Sequence, residues 1–568
     1  MLWIIDAVRE SPRQKVASRV DAVEGHFSRC VIEQVSESGH CDAVEVERWR
    51  DSEMVMNSQA VARAIALHSK ERAVECVRVV CDAGGCLRCA LRFIPITTTG
   101  PYESSEEIIV EALRDLDSTL PFESFSAVNA SAPCVCCLGM LQDSTMKTVA
   151  EACTEYVKEF EYDGVVRLNL SAPPVCSIIR QRAMEIHVLE TVKPKSAEDP
   201  VTLRTGAKYS LGHAIETAIG ASYDQQSDFF SNVHFRHEES MPEMEKLVNT
   251  QKQEFRRNKR RKTNVPFETF ASWMDRDVST VEKAVRALSE EGFKVQSDVP
   301  PKRCRTVVKF DVLCSVSDIL LSGRYLKFSR RVSQSPWKVE DHGEEKTGKV
   351  DSSVEDIIVP KLKEQFLAAH ATFIPGGRED VDVRMLGTGR PFVVRISGAK
   401  KVPSRATEEA VAKLEVEINR DGGGLVKVVE LARTDKQHLE WMRSVESQKR
   451  KTYACVIRLN RLPSTDDVEK LNALTDMKII QKTPVRVFHR RSPGNREKVV
   501  HRVSAKLLKG HYMVAEIEAE AGTYIKELVH GDFGRTKPSF QSILGCKADV
   551  TQLDVISIDV AKETVGGD

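Results

Sequence analysis

A chain of 568 residues with 41% apolar side chains exceeds what one hydrophobic core ordinarily serves and has material for two or more. Its 83 Lys and Arg balance 83 Asp and Glu, which excludes a wholly basic, histone-like nucleic-acid binder and makes any polyanion site a local one. No apolar run approaches the roughly twenty residues that span a bilayer, and the start MLWIIDAVRESPRQ is too short in apolar length for a secretory signal, so the expectation is an intracellular protein with no membrane partner.

From Met1 to about Ser69 the text is polar and charge-mixed, an extension with no readable role. The apolar run CVRVVCDAGGCLRCALRFI follows. A helical pattern runs from about Met146 to Phe160, and GVVRLNL reads as a buried strand. Polar clusters and the basic run Arg256–Lys262 occupy the region up to about Pro266. That run is equally a nuclear-import patch, an exposed surface or an RNA contact. Beyond it, Glu268–Gly292 looks like a helical stretch ended by glycine, and SSVEDIIVPKLKEQFLAAH has helical periodicity. CRTVVKFDVLC, RPFVVRI, KTYACVIRL and YMVAEIEAEA read as strands. Long β segments separated by isolated helices, without strict βαβ alternation, predict an α+β fold on a mixed, mostly antiparallel sheet.

Fifteen cysteines spread over a chain of this size favour metal over disulfides in a reducing compartment. Cys86 with Cys89, and Cys134 with Cys137, stand at CxxC spacing. Two residues between thiolates let one turn present both sulfurs to a tetrahedral ion, and two such turns close a structural zinc shell. Cys81 and Cys136 read as buried free thiols.

Between Lys478 and Lys509 there are ten Lys and Arg and a single acid, Glu497. On strands such residues share a face on which phosphates can be neutralised together, with Arg486, Arg490 and Arg491 the candidate RNA-backbone contacts. GREDVDVRMLGTGRPF (Gly377–Phe392) is different: six charged residues and three glycines in sixteen positions. Asp380 and Asp382 point the same way in an extended segment. By themselves they read either as a salt-bridged loop or as catalytic carboxylates. Third, they suit a metal-dependent nuclease, although no further ligand stands near them in sequence.

GREDVDVRMLGTGRPF resembles the active-site loop of pseudouridine synthases. GRYLKFSRRVSQSPW (Gly323–Trp337), QKTPVRVFHRR (Gln481–Arg491) and AGTYIKELVHGDFGRTKPS (Ala521–Ser539) resemble signature blocks of the Pus-ten type tRNA pseudouridine synthases of archaea and eukaryotes, in that family's order. CLRCALRF and CVCCLG are similar to the family's zinc-binding accessory domain. The resemblance implies isomerisation of uridine in tRNA, at the T-arm uridines conventionally numbered 54 and 55, by a monomer in the nucleus or cytoplasm with structural zinc and no organic cofactor. It implies an extension over 1–69, a zinc-binding and THUMP-type RNA-binding accessory α/β domain over 70–300, and a catalytic domain over 301–568. Asp380 matches the catalytic aspartate, Arg378 a residue beside the extruded nucleotide, Tyr453 the active-site tyrosine, Lys526 the basic residue set against the aspartate, and Leu528 an apolar pocket wall. Asp382 is then a supporting partner that holds Arg384 or Arg390. The alternative is a non-catalytic, zinc-containing RNA-binding or processing factor on the same fold.

Overall fold

The structure, a computed structural model, describes residues 56–558 except 69, 122–131, 172–173, 193–198, 244–284, 287, 337–351, 446–449 and 489–490. The extension to residue 55, the basic run Arg256–Lys262, Trp337 and Arg490 lie outside the described residues. The chain divides into two compact units, the first comprising 1–151, 170–218 and 234–311, the second 152–169, 219–233 and 312–568.

Helices dominate the first unit. Lys70–Asp82 buries Ala73, Val77, Val80 and Cys81 along one stripe, the three-to-four spacing that an amphipathic helix requires. The helix Glu106–Leu116 starts where the Ser105 side chain accepts the Ile108 N–H, with Glu106 and Glu107 in its first turn and Arg114 in its last, as the helix dipole favours. Ile179, Ala183 and Ile186 of the helix Pro174–Thr191 form a small core with Val285 and Phe293. Residues 268–284 of the expected helix Glu268–Gly292 lie outside the described residues, and at its end the expectation fails: Gly292 does not end a helix. Ser289 caps a new one, Glu290–Gln296, by accepting the Gly292 N–H, and the helix stops at Ser297. A serine cap outranks the glycine as a boundary signal.

A four-stranded sheet is ordered β2-β1-β3-β4, with β1 (Val165–Ser171), β2 (Ser222–Tyr223), β3 (Phe229–Arg236) and β4 (Lys309–Val316). GVVRLNL does form a strand, but only Val166 in it is fully buried.

The second unit is built on a ten-stranded sheet. Its strands are β5 (Ile319–Lys327), β8 (His370–Pro375), β9 (Val383–Ser397), β10 (Val426–Arg433), β11 (Arg450–Leu459), β12 (Thr475–Lys482), β13 (Asn495–Leu507), β14 (Tyr512–Glu520), β15 (Thr536–Lys537) and β16 (Ala548–Ile558). The order is β10-β5-β9-β16-β11-β14-β13-β12-β15, with β8 also on β9, and β6 (Val332–Ser333) and β7 (Ser352–Ser353) pair separately. The pairings in the large sheet are antiparallel except where β16 runs parallel to β9. The expected mixed, largely antiparallel sheet with flanking helices is therefore present. The helix Val354–Phe366 lays Val354, Ile358, Leu362 and Phe366 on the sheet core at four-residue spacing, and Glu408–Asp421 adds Val411, Leu414 and Ile418. Gly387 is required where β9 passes β16: at φ 61°, a Cβ there would stand 1.8 Å from the Ile556 carbonyl oxygen. No helix among the described residues is long and apolar enough to cross a membrane.

Candidate active site

The loop between β8 and β9 turns at Gly377 (φ 102°) and delivers two adjacent carboxylates to different places. Glu379 goes inward, its side chain 2% exposed. There Arg390 Nε donates to it at 2.7 Å, and the Tyr325 hydroxyl donates at 2.9 Å. Gln334 Nε2 ties this network back to the loop, donating to the Tyr325 oxygen and to the Gly377 carbonyl, both at 2.7 Å. Asp380 goes outward, 29% exposed, into a cleft of about 640 Å³.

Lys327 sits beneath the loop with no exposure at all. Its ammonium donates to the carbonyls of Val381 (2.8 Å), Val332 (2.9 Å) and Asp380 (3.3 Å). Burial pushes this amine down to about 8, against the nearby charges of Glu379 and Asp382.

The other walls come from distant segments. Tyr453 on β11 lies opposite Val555 of β16 and is 9% exposed; burial pushes its phenol up to about 12. Tyr524, Ile525 and Lys526 open the short helix Ile525–His530. That opening is fixed by Gln481 of β12, whose buried amide accepts the Tyr524 N–H at 2.9 Å and donates to the Tyr524 carbonyl at 3.0 Å. Arg486, on the turn after β12, donates to Asp380 Oδ2 at 2.7 Å. The same guanidinium is anchored on Glu527 (2.7 and 3.2 Å), whose side chain is 3% exposed. Lys526 Nζ lies 3.7 Å from Asp380 Oδ2 and hydrogen-bonds both oxygens of Asp382. Burial opposes charge on Asp382, yet the Lys526 ammonium outweighs it and holds that carboxyl below its ordinary range. No described residue donates a hydrogen bond to Asp380 Oδ1. The arrangement is a carboxylate steadied on one oxygen by two cations and open on the other, in a cleft also lined by Arg378, Arg443, Arg491, Arg496 and Lys498.

Two family models cover most of the chain: "Pus10, C-terminal" matches residues 320–559, and "Eukaryotic Pus10, N-terminal" matches 134–314. The tRNA pseudouridine synthase Pus10 of Mus musculus is 32% identical over 524 residues, 84% of this chain and 95% of that protein. The chain belongs to the Pus10 family. The Homo sapiens Pus10 is 30% identical over 530 residues, 85% of this chain and 96% of that protein. A solved Cbf5-Nop10-Gar1 complex is similar over 42% of this chain and 48% of that one, at 15% identity and a TM-score of 0.23, too little to carry an argument.

In this Pus10 chain Asp380, Arg378, Tyr453 and Lys526 all line one cleft. Leu528 does not: it is fully buried in the sheet core, because the cleft meets only the first turn of its helix. Ile525, Val383, Val487, Leu553 and Val555 form the apolar wall instead. Arg486 differs from expectation too, since its guanidinium is engaged by Asp380 and Glu527, while Arg491 remains exposed at the cleft. Asp382 holds neither Arg384 nor Arg390. Arg384 stands directly opposite Asp554 in the β9/β16 register and pairs with it at 2.6 Å, and Arg390 points inward to Glu379. The loop around Asp382 is a turn rather than extended, although both aspartates face Lys526. Lys327, Glu379, Gln481 and Glu527 are the supporting residues that sequence reasoning missed. The signal available for Lys327 was a charged residue in the alternating apolar text of β5.

In the first unit, Cys86, Cys89, Cys134 and Cys137 are all buried, with their sulfurs within 4.8 Å of one another. Cys86 and Cys137 are 3.8 Å apart, Cys89 and Cys134 3.7 Å. A tetrahedral zinc with bonds of about 2.3 Å sets its sulfurs roughly 3.8 Å apart, so the four thiols fit that ion. The backbone N–H groups of Cys86 (3.2 Å) and Cys136 (3.4 Å) point at Cys134 Sγ, that of Leu141 points at Cys137 Sγ (3.5 Å), and the buried Arg92 donates to Cys89 Sγ at 3.5 Å. Such donors offset the negative charge of a tetrathiolate shell. A second grouping, His237, Glu239 and Cys304, has its ligand atoms committed elsewhere: His237 to Ser240 and Thr306, Glu239 to Arg305 and Thr306, and Cys304 to Arg180.

Proposed function

We propose that the cleft isomerises uridine to pseudouridine in the T-arm loop of tRNA, at position 54, 55 or both, with Asp380 as the catalytic carboxylate. The observation that carries this reading is the half-committed state of Asp380: one oxygen held by Arg486 and faced by Lys526, the other open to the cleft. Relatives named tRNA pseudouridine synthases, similar along nearly their whole length, support it.

In the reaction the bond from ribose C1′ to uracil N1 breaks, the base rotates, and C1′ bonds to C5, whose proton is lost as N1 gains one. Atoms and electrons balance within the nucleoside. Asp380 serves either as nucleophile at C1′ or as the base that accepts a proton from the nucleoside, and in both roles Arg486 and Lys526 hold the carboxylate in place. The Tyr453 ring offers a flat wall to the detached uracil. A stacked uridine must be extruded to reach the cleft, with Arg378 beside the path. Arg443, Arg491, Arg496 and Lys498 are placed to meet the phosphates.

The same reading assigns residues 301–568 to catalysis and 70–300 to a zinc-binding, THUMP-type module that grips the acceptor end, in a monomer acting in the nucleus or cytoplasm. When bound, zinc supplies folding energy to that module and no chemistry. The nuclease alternative is disfavoured, because a divalent ion between Asp380 and Asp382 would have to displace Lys526 and Arg486.

The test incubates purified protein with unmodified tRNA transcript in EDTA and maps pseudouridine by carbodiimide labelling and primer extension. Wild type converts a T-loop uridine. Asp380→Asn binds tRNA, melts normally and loses at least roughly a thousandfold in rate. Undiminished turnover by that variant removes the assignment, and chain cleavage that depends on magnesium replaces it with the nuclease.

A further inference from the structure

Arg486 stands on the short helical turn Val485–Val487 that follows β12, with its side chain 37% exposed. A long cation in such a place ordinarily samples many rotamers, and holding it in one costs entropy. Here the guanidinium is held. Its Nε donates to Glu527 Oε1 at 2.7 Å and its Nη2 to Glu527 Oε2 at 3.2 Å, two bonds along one edge of the group. A guanidinium is planar and rigid, so fixing two of its nitrogens fixes the third. That third nitrogen, Nη1, is the one that donates to Asp380 Oδ2 at 2.7 Å.

Glu527 is placed on a firm support. Its helix, Ile525–His530, packs Ile525, Leu528 and Val529 into the sheet core, and the Gln481 amide pins the residue before it, Tyr524, by both backbone groups. The Glu527 side chain is 3% exposed, and a carboxylate so far from water is kept ionised in place only by partners such as this fork. Lys526, one position earlier, is occupied differently. Its ammonium hydrogen-bonds both oxygens of Asp382 and stops 3.7 Å from Asp380. The short hydrogen bond on Asp380 therefore comes from Arg486, and its direction is set by Glu527.

Stability alone is a poor reason for this pair. A buried ion pair is often no more stabilising than apolar side chains of the same volume. Apolar side chains, however, would leave Asp380 Oδ2 without its donor and free the carboxylate to rotate.

We propose that Glu527 is a positioning residue for the isomerisation, acting on Asp380 through Arg486: it aims the guanidinium so that one carboxylate oxygen is held and the other faces the nucleoside. This inference rests on the reading of Asp380 as the catalytic carboxylate.

The experiment measures single-turnover conversion of unmodified tRNA transcript by full-length protein at saturating protein, together with tRNA affinity. Glu527→Gln lowers the saturated rate by roughly 10- to 100-fold, the scale of a small misplacement of a reacting group. Its affinity for tRNA stays within about twofold of wild type, since the loss falls on the chemical step. The double variant Glu527→Gln with Arg486→Gln is no slower than Arg486→Gln alone, as residues acting in series require. A second measurement needs no turnover: without RNA, phenylglyoxal modifies Arg486 several-fold faster in Glu527→Gln than in wild type, read by peptide mass spectrometry. It decides the case should Arg486→Gln unfold by stranding a buried carboxylate.

A wild-type rate in Glu527→Gln, a loss confined to tRNA affinity, a double variant slower by the full product of the two single effects, or equal labelling of Arg486 each overturns the proposal. When wild type converts uridine and Glu527→Gln matches it, this inference fails and the reading of the cleft stands. When wild type makes no pseudouridine, the reading of the cleft fails and takes the positioning role with it, whatever the labelling shows of the anchor.

Discussion

The four-cysteine shell of the first unit and the carboxylate cleft of the second use polar groups in opposite ways. Around the cysteines every ligand is buried and the surrounding donors point at sulfur, which leaves no open position for a substrate. In the cleft the same division is repeated between two consecutive residues. Glu379 is buried and multiply hydrogen-bonded, like a structural ligand; Asp380 is left partly free. Rigidity is thus placed one residue away from an accessible carboxylate, which can be kept available because its neighbour holds the loop.

The comparison breaks most visibly at the shell. Cys89→Ser should lower zinc from about one ion per chain to near none by metal analysis and unfold the first unit, because the binding energy of a closed zinc shell is folding energy. Retained zinc and an unchanged melting curve would end its structural role. Next in size, Glu379→Gln should destabilise the second unit by about 3–5 kcal/mol in chemical denaturation, since Arg390 is left charged and 1% exposed. The pair Glu379→Gln with Arg390→Met should recover a large part of that loss, as removing both charges leaves none stranded.

Lys327 sharpens the contrast through pH. Its amine is charged below about 8 and grips three loop carbonyls in that form. As pH rises through about 8 the loop loses a charged donor, so isomerisation should decline there. The stability consequence has the opposite sign: between about 8 and the ordinary lysine range the unfolded chain binds the extra proton, so this group's contribution to folding stability rises with pH. Lys327→Met should flatten the activity limb near pH 8 at a rate lower throughout. An unaltered limb in the variant would assign it to another group. Smallest of all, Asp382→Asn should shift stability by less than about 1 kcal/mol, because its side chain is 61% exposed and its link to Lys526 is screened.

The clustered cysteines and the cleft-lining residues were more legible than the groups that hold them. The four cysteines stand at CxxC spacing, and Asp380, Tyr453 and Lys526 sit in short stretches that resemble the family's blocks. Their supports lie far away in the chain: Lys327 is 53 positions from the Asp380 carbonyl it meets, and Gln481 is 43 from Tyr524. Arg486 illustrates the limit. Within its own stretch it is one cation among ten and reads as a phosphate contact, yet its partners are Asp380 and Glu527, 106 and 41 positions away. Leu528 failed for a geometric reason, since apolar character in a short helix does not reveal which turn meets the cleft. Segments of β9, β11 and β14 were readable as strands, but β5, β8, β10 and β16 were not, and neither was the parallel entry of β16 beside β9, because register between distant strands leaves no local mark.

That parallel pairing bears on how the protein is made. Residues 548–558 lie in the middle of the large sheet, between β9 and β11, although they follow every other strand among the described residues. During synthesis two half-sheets must therefore wait, β11 with its inner edge unpaired and β9 with residues 383–385 unpaired beside β8, until this segment emerges from the ribosome and wedges between them. A premature stop before residue 548 would remove far more than a tail: it would leave the Leu553 and Val555 wall unbuilt and two sticky borders exposed to other nascent chains.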